Sequence, residues 1–132
     1  MDAQRLEGLP LFESLGKDEL RRIASLTDEV DIREGEELLH QGDFAHEFMV
    51  VIDGSAEVVR DSEHVADLGP GDFLGEIAAL DRSQRTATVV ARSAMRVVVM
   101  TDRDMRHIAK DMPTVERQLR DAAREHCPLT EV

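Results

Sequence analysis

The sequence predicts a mainly β protein: an antiparallel β-roll or jelly-roll barrel carrying an N-terminal helix and two C-terminal helices. Three observations lead there. Short apolar runs of period two, punctuated by turn residues, occupy residues 29–100. Helical apolar spacing occurs only before and after that stretch. With 132 residues, 42% of them hydrophobic and 33% charged, the chain is long enough to bury one core without disulfide or metal staples.

The first helix is expected from Lys17 to about Leu26. Leu20, Ile23, Ala24 and Leu26 make its apolar stripe, and Asp18 and Glu19 complement its positive N-terminal end. Upstream, Leu9, Leu11, Phe12 and Leu15 are broken by Gly8 and Pro10, which suggests a short turn packing on the domain. From residue 29 the period becomes two. Val30 and Ile32 alternate with charges, Gly35 turns the chain, Leu38 and Leu39 follow, and Gly42-Asp43 turns it again. Glu47 to Ile52 is rich in β formers, and Asp53-Gly54 is a strong hairpin signal. Ala56 to Val59 returns, Asp61 to Glu63 reads as a polar turn, and Val65 to Leu68 as a further strand. After the dense loop signal Gly69-Pro70-Gly71-Asp72 and an unusual stretch at 73–85, strands are expected at Thr86 to Ala91 and Arg96 to Met100. Asp102 can cap a helix of about residues 103–110, and Pro113 suits the first turn of another, ended by Pro128. The whole reads as a single domain, residues 1–132. Its helical segment covers 1–27, its β-roll 28–100 and its C-terminal helices 101–127.

Charge narrows the function. The 28 Asp and Glu against 16 Lys and Arg give a net charge of −12, which argues against a general nucleic-acid binder and against docking on anionic lipid. The excess is uneven. Residues 1–80 carry 20 acidic and 6 basic side chains, whereas residues 81–132 carry 8 and 10. An anion, if bound, is therefore expected to depend on locally concentrated positive charge, and each arginine after residue 80 is a candidate. One cysteine, Cys127, excludes an intramolecular disulfide framework and a cysteine zinc cluster, and no activating base is evident beside it. The N-terminus lacks the pattern of a signal peptide, and no apolar run approaches the roughly 20 residues that cross a bilayer. These features suggest a reducing, cytoplasmic setting.

The stretch Phe73-Leu74-Gly75-Glu76-Ile77-Ala78-Ala79-Leu80 interrupts the β pattern. Gly75 permits close backbone approach, and Glu76 to Leu80 has the look of one helical turn. A helix start inside a β-roll offers unpaired N–H groups and a positive dipole end, both suited to a phosphate. Arg85, leading into the next strand, can fork onto two phosphate oxygens, and Glu76 can accept from a sugar hydroxyl. For an arbitrary Glu and Arg, the simpler alternative is an intradomain ion pair.

The run from Phe73 to Val89, FLGEIAALDRSQRTATV, resembles the phosphate-binding cassette of cyclic nucleotide-binding domains, the modules of cyclic-nucleotide-dependent kinases, channels and bacterial regulators. Gly75-Glu76, the small apolar residues Ile77-Ala78-Ala79-Leu80, a variable loop, and Arg85-Thr86-Ala87-Thr88-Val89 follow the family pattern. Gly35, Gly42-Asp43, Gly54-Ser55 and Gly69 to Phe73 fall where the family turns. The resemblance implies that Glu76 accepts from the ribose 2′-hydroxyl, with the backbone around Gly75 nearby. It implies that Arg85 pairs with the exocyclic phosphate oxygens, and that the N–H groups of Ala78 and Thr86 bond the same phosphate. Val58, Val65 and Leu68 correspond to the apolar wall against the purine; without the resemblance they would read as plain core. The implied ligand is cAMP, with cGMP left open because a hydroxyl such as that of Thr86 can meet the guanine amino group.

Two departures from the family pattern matter. Gln84 stands where many members have Pro before the arginine, which leaves the loop freer. The lid over the base, usually drawn from the last helix, has no aromatic to use: the chain has no Trp or Tyr, and its Phe residues stop at Phe73. Leu119, Arg120, Ala123 or Arg124 remain as lid candidates. The expected function is a non-enzymatic cyclic-nucleotide sensor that couples occupancy to the position of the C-terminal helices and acts on a protein effector in trans. The alternative is an interaction module that keeps the fold without using the ligand. A cupin-like metalloenzyme on a similar roll would need convergent histidines. His40, His46, His64, His107 and His126 show no such spacing and read as structural or surface residues, with no metal and no catalytic residue expected.

Overall fold

The computed structural model describes residues 6–9, 12, 13, 15–43, 47–74, 87–115, 117, 118 and 121. Two four-stranded antiparallel sheets face each other. The first has the order β1 (Asp28–Ile32), β8 (Met95–Thr101), β3 (Glu47–Asp53), β6 (Phe73–Leu74). The second has the order β2 (Glu37–Leu39), β7 (Thr88–Ala91), β4 (Ala56–Arg60), β5 (Glu63–Leu68). Helix α1 (Lys17–Ser25) precedes the roll and α2 (Asp102–Asp111) follows it, with further helical residues at 113–115. The mainly β roll flanked by helices is as the sequence predicts, closed by facing two sheets rather than by one continuous barrel.

The apolar pattern explains which faces meet. In β3, Phe48 and Val50 point to one side, and Met49 and Val51 to the other; all are buried. In β8, Val98 and Met100 share the side of Phe48, and Val97 shares that of Met49. The first sheet is thus covered on both faces, so its central strands read as continuous apolar runs rather than alternations. One face packs against the N-terminal turns and helices through Leu6, Phe12, Leu20, Ile23, Ile108 and Val115. The other packs against the inner face of the second sheet, where it meets Val58, Leu68, Val89 and Ala91. In the second sheet β7 keeps the clean period of two: Val89 and Ala91 are buried and Thr88 and Val90 are only half-buried.

Local chemistry sets the element ends. The Gly16 N–H donates to the Glu19 carboxylate (2.9 Å) at the start of α1, whose buried stripe is Leu20, Ile23 and Ala24. At α2 the expectation of an Asp102 cap is corrected. The Thr101 hydroxyl accepts from the Asp104 N–H (3.1 Å), and the Asp104 carboxylate accepts from the Thr101 N–H, so the helix begins one residue earlier than the sequence suggests. Arg22 of α1 reaches Asp111 of α2 at 3.2 Å, an exposed ion pair that adds little to the shared apolar contact. The polar turn expected at 61–63 shrinks to Asp61-Ser62, both at positive φ (52° and 67°), between the paired residues Arg60 and Glu63. That is the two-residue turn whose twist matches a β-hairpin, made here without glycine.

Gly54 has no such latitude. It sits at φ +92° in the β3–β4 connection, beside a register shift between Val51 and Asp53. A Cβ there would press into the Ala94 carbonyl and lie 2.8 Å from the Met95 Cα. Both the left-handed backbone and the backbone contact oppose any side chain. Gly54→Ala is expected to destabilise the domain by roughly 2–4 kcal/mol in chemical denaturation, the sum of the conformational penalty and overpacking; a loss below about 0.5 kcal/mol would show that the connection yields freely.

Candidate functional site

The Gly69-Pro70-Gly71-Asp72 turn delivers the chain to the candidate site. The Asp72 carboxylate accepts from the Gly69 N–H (2.8 Å), and the Asp72 N–H donates back to the Gly69 carbonyl (3.1 Å). The turn is also stitched to β3: the Val51 N–H donates to the Asp72 carbonyl and the Gly71 N–H to the Val51 carbonyl, each at 2.8 Å. Gly71 takes φ +91° to make this closure. The next two residues, Phe73 and Leu74, form β6 opposite Val50 and Met49, a strand the sequence reading leaves inside the loop. The Phe73 ring lies 5.6 Å from that of Phe48, tilted at 38°.

Leu74 belongs to β6 of the first sheet, and Ala87, fully buried, immediately precedes β7 of the second sheet. Segment 75–86 therefore runs between anchors in opposite sheets. The expected ligand-binding residues Gly75, Glu76, Ile77, Ala78, Arg85 and Thr86 all fall in that segment, outside the described residues, as do Gln84 and the lid candidates Leu119, Arg120, Ala123 and Arg124. The three apolar wall residues are described and differ from one another. Val58 and Leu68 are sealed in the inter-sheet core (0% and 4% exposed). Val65, at the register shift of the β4–β5 pair, leaves 38% of its surface exposed.

The second anchor has a clamp that sequence reasoning missed. The Gln41 N–H donates to the Thr88 hydroxyl (3.0 Å) at the start of β7. The Gln41 side chain exchanges two hydrogen bonds with Asp61, its amide N–H₂ donating to the carboxylate (2.8 Å) and its carbonyl accepting from the Asp61 N–H (3.0 Å). One residue thus ties the start of β7 to the Asp61-Ser62 hairpin tip. The sequence offered only a Gly42-Asp43 turn signal there, and nothing in it distinguishes a clamp from a solvated glutamine. Beside the clamp, an open cleft of about 480 Å³ lies between residues 40–42 and the hairpin tip, floored by Val59 and Val90 on the outer face of the second sheet.

Charged groups near this face are displaced from their ordinary titration. The Glu37 carboxylate, hydrogen-bonded to the His40 ring at 2.7 Å, raises the His40 pKa above 6.5. Arg92, then His64, hydrogen-bond Glu57 and hold its carboxyl below the usual value. On the first sheet, Arg96 is held charged by Asp31 (3.0 Å) and Glu29. Among the described residues, these pairs involve exposed side chains and shape the surface rather than an enclosed reaction centre.

The two anchored ends and the roll between them define a class. Residues 29–112 match the model of the family described as Cyclic nucleotide-binding domain, and the chain belongs to that family. It is 32% identical over 118 residues to a cAMP-dependent protein kinase regulatory subunit of Schizosaccharomyces pombe, covering 89% of this chain and 26% of the relative. It is 37% identical over 110 residues to the corresponding regulatory subunit of Mycosarcoma maydis, covering 74% and 20%. The chain thus spans about a quarter or less of the length of these curated relatives. Its fold is similar to a crystal structure described as a putative cyclic nucleotide-binding protein from Geobacter metallireducens, with a TM-score of 0.84 at 21% identity, covering 95% and 94% of the two chains. No helix among the described residues is long and apolar enough to cross a membrane.

Two measurements follow from the geometry. Gln41→Ala leaves Asp61 at positive φ without its partner and should cost roughly 1–2 kcal/mol of stability, the usual scale for lost hydrogen bonds; an unchanged denaturation midpoint would mean the side-chain bonds to Asp61 carry no energy. The His40 resonance should titrate above 6.5 by NMR and move down in Glu37→Gln, because the charged ring loses its carboxylate. The sign follows directly: the His40–Glu37 contribution is complete below the unfolded pKa and fades as pH rises through the raised folded value.

Proposed function

We propose that this domain binds a cyclic nucleotide, cAMP in the first place, and serves as a regulatory module rather than an enzyme. The observation that carries the reading is the family cassette pattern at 75–86, bracketed by β6 and β7 in opposite sheets. In this reading Arg85 forks onto the exocyclic phosphate oxygens, with the N–H groups of Ala78 and Thr86 beside it. Glu76 accepts from the ribose 2′-hydroxyl, with Gly75 allowing close backbone approach and Ile77 packing behind. Of the three wall residues, Val65 is the one with free surface to offer a purine. Val58 and Leu68 support it from the core. The names of the relatives support cAMP over cGMP, and Thr86 keeps a route to the guanine amino group open.

Occupancy acts by population shift: contacts at the cassette favour one placement of residues 101–127 over another, and a protein effector in trans reads the difference. A cytoplasmic location goes with this role. The second reading is an interaction module that has the fold but no ligand, favoured by Gln84 ahead of Arg85 and by the absence of Trp and Tyr from the lid region.

Titration calorimetry with cAMP, cGMP and 5′-AMP separates the readings. The leading one expects binding of the two cyclic nucleotides, cAMP the tighter, and little response to 5′-AMP. Arg85→Ala should weaken cAMP by at least 100-fold, about 2.7 kcal/mol, the scale of a lost charge-assisted bidentate contact. No heat and no thermal shift at millimolar cyclic nucleotide would remove it in favour of the second.

A further inference from the structure

The outer face of the second sheet gathers a set of side chains with no part in the nucleotide reading. Glu57 on β4 stands directly opposite Asp67 on β5. His64 lies three residues before Asp67, and in a regular strand that spacing would send the two side chains to opposite faces. The register shift between Val58 and Val59 removes the alternation, as a β-bulge does, and brings His64 to the face of Glu57 and Asp67. The His64 Nδ1 lies 2.9 Å from a Glu57 carboxylate oxygen, and its Nε2 lies 3.8 Å from the Asp67 Oδ2. The other oxygen of Glu57 accepts from Arg92. One ligating atom from each of Glu57, His64 and Asp67 lies within 4.8 Å of the other two.

We propose that His64 and Asp67 bind a divalent transition-metal ion of the zinc class, with Glu57 as the carboxylate that orients the imidazole. A metal-ligating histidine donates its second N–H to a carboxylate, which fixes the tautomer and aims the lone pair. Glu57, 2.9 Å from Nδ1, is placed to do this, which leaves Nε2, 3.8 Å from the Asp67 Oδ2, as the ligating nitrogen. The 3.8 Å between Nε2 and the Asp67 oxygen is close to the span of a Zn–N bond of about 2.0–2.1 Å and a Zn–O bond of about 2.0–2.2 Å meeting at a wide angle. Asp67, 78% exposed, needs only a small swing to bring that angle toward tetrahedral, and water completes the shell.

Arg92 engages the other oxygen of Glu57, so it holds the orienting carboxylate in place and offsets its charge. An imidazole donor selects zinc, nickel or copper over magnesium and calcium, which prefer oxygen ligands. An ion here would pin the β4–β5 hairpin from the solvent side. The competing description is an ion-pair network alone, with the histidine ring held between two carboxylates.

Calorimetric titration of the whole chain with ZnCl₂, in parallel with MgCl₂, decides between them. The wild-type chain should bind one more equivalent of Zn²⁺ than His64→Ala, and Asp67→Asn should weaken that equivalent at least tenfold. Glu57→Gln should weaken it by a similar factor, the usual cost of removing a carboxylate behind a ligating histidine. His64 ring signals should shift with Zn²⁺ and not with Mg²⁺. Identical zinc stoichiometry and affinity in wild type and His64→Ala, no zinc binding by the wild type, or an equal response to magnesium would each overturn the proposal. All three substitutions are at residues on the outer face, His64 and Asp67 exposed and Glu57 partly so, and retained thermal melting shows that the variants fold.

Discussion

The antiparallel pairing of β3 with β8 is the constraint on which the rest depends. These strands run side by side from the Glu47–Thr101 pair to the Asp53–Arg96 pair, and both of their faces are covered. Successive residues therefore belong to different cores: Phe48 and Val50 to the helical side, Met49 and Val51 to the inter-sheet side. A slip of one residue would exchange the two sets. The register is held at one end by the Gly54 connection, where only a glycine clears the Ala94 carbonyl. It is held in the middle by the Asp72 and Gly71 hydrogen bonds to Val51.

This arrangement explains what could be read from residues alone. Short runs of β formers bounded by turn residues located β1, β3 to β5, β7 and β8, because hydrophobic patterning and turn chemistry are local signals. The family pattern points to a candidate site at Gly75-Glu76 and Arg85-Thr86, which lie outside the described residues. What escaped depends on long-range partners. Two residues cannot announce a strand, so β6 is visible only through its pairing with Met49 and Val50. Asp102 is as good a capping residue as Thr101 by type, and only the strand's end decides which of them meets the Asp104 N–H. Gln41 is unremarkable until Asp61 and Thr88, far apart in sequence, arrive beside it. His64 escaped for a related reason: its facing depends on a register shift that the alternation of β5 does not disclose.

The acidic balance also takes a spatial meaning. Asp28 and Asp31 on β1, Glu36 and Glu37 near β2, and Asp67 on β5 are exposed, and all but Glu36 lie on outermost strands. Charges on outermost strands discourage edge-to-edge association. Such groups repel polyanions over the surface yet are screened at separations beyond about 8–10 Å at physiological salt. A single small anion held by one guanidinium and a few N–H groups answers to its immediate neighbours. The charge excess and the proposed anion contact at Arg85 therefore do not conflict. They concern different distances.

The two-residue strand β6 connects the candidate site to the helices. Phe73 faces the helical core, in contact with Phe48 and in the same cluster as Leu20 and Ile108; Leu74 faces the inter-sheet core with Val58 and Leu68. Adjacent residues at the entrance to segment 75–86 thus lie in different apolar layers. Close-packed layers resist gradual deformation and move between discrete arrangements. If a ligand draws the cassette toward the second sheet, the pull at Leu74 acts on the inter-sheet core. The same pull reaches Phe73, whose packing is shared with α2. Both ends of the segment are held: Phe73 and Leu74 are sealed and the turn before them is bonded to Val51, while Ala87 is sealed and Gln41 ties Thr88 to the hairpin tip. Of the two ends, the β6 end is the one whose packing reaches the helical core, because Phe73 shares a cluster with Ile108 of α2.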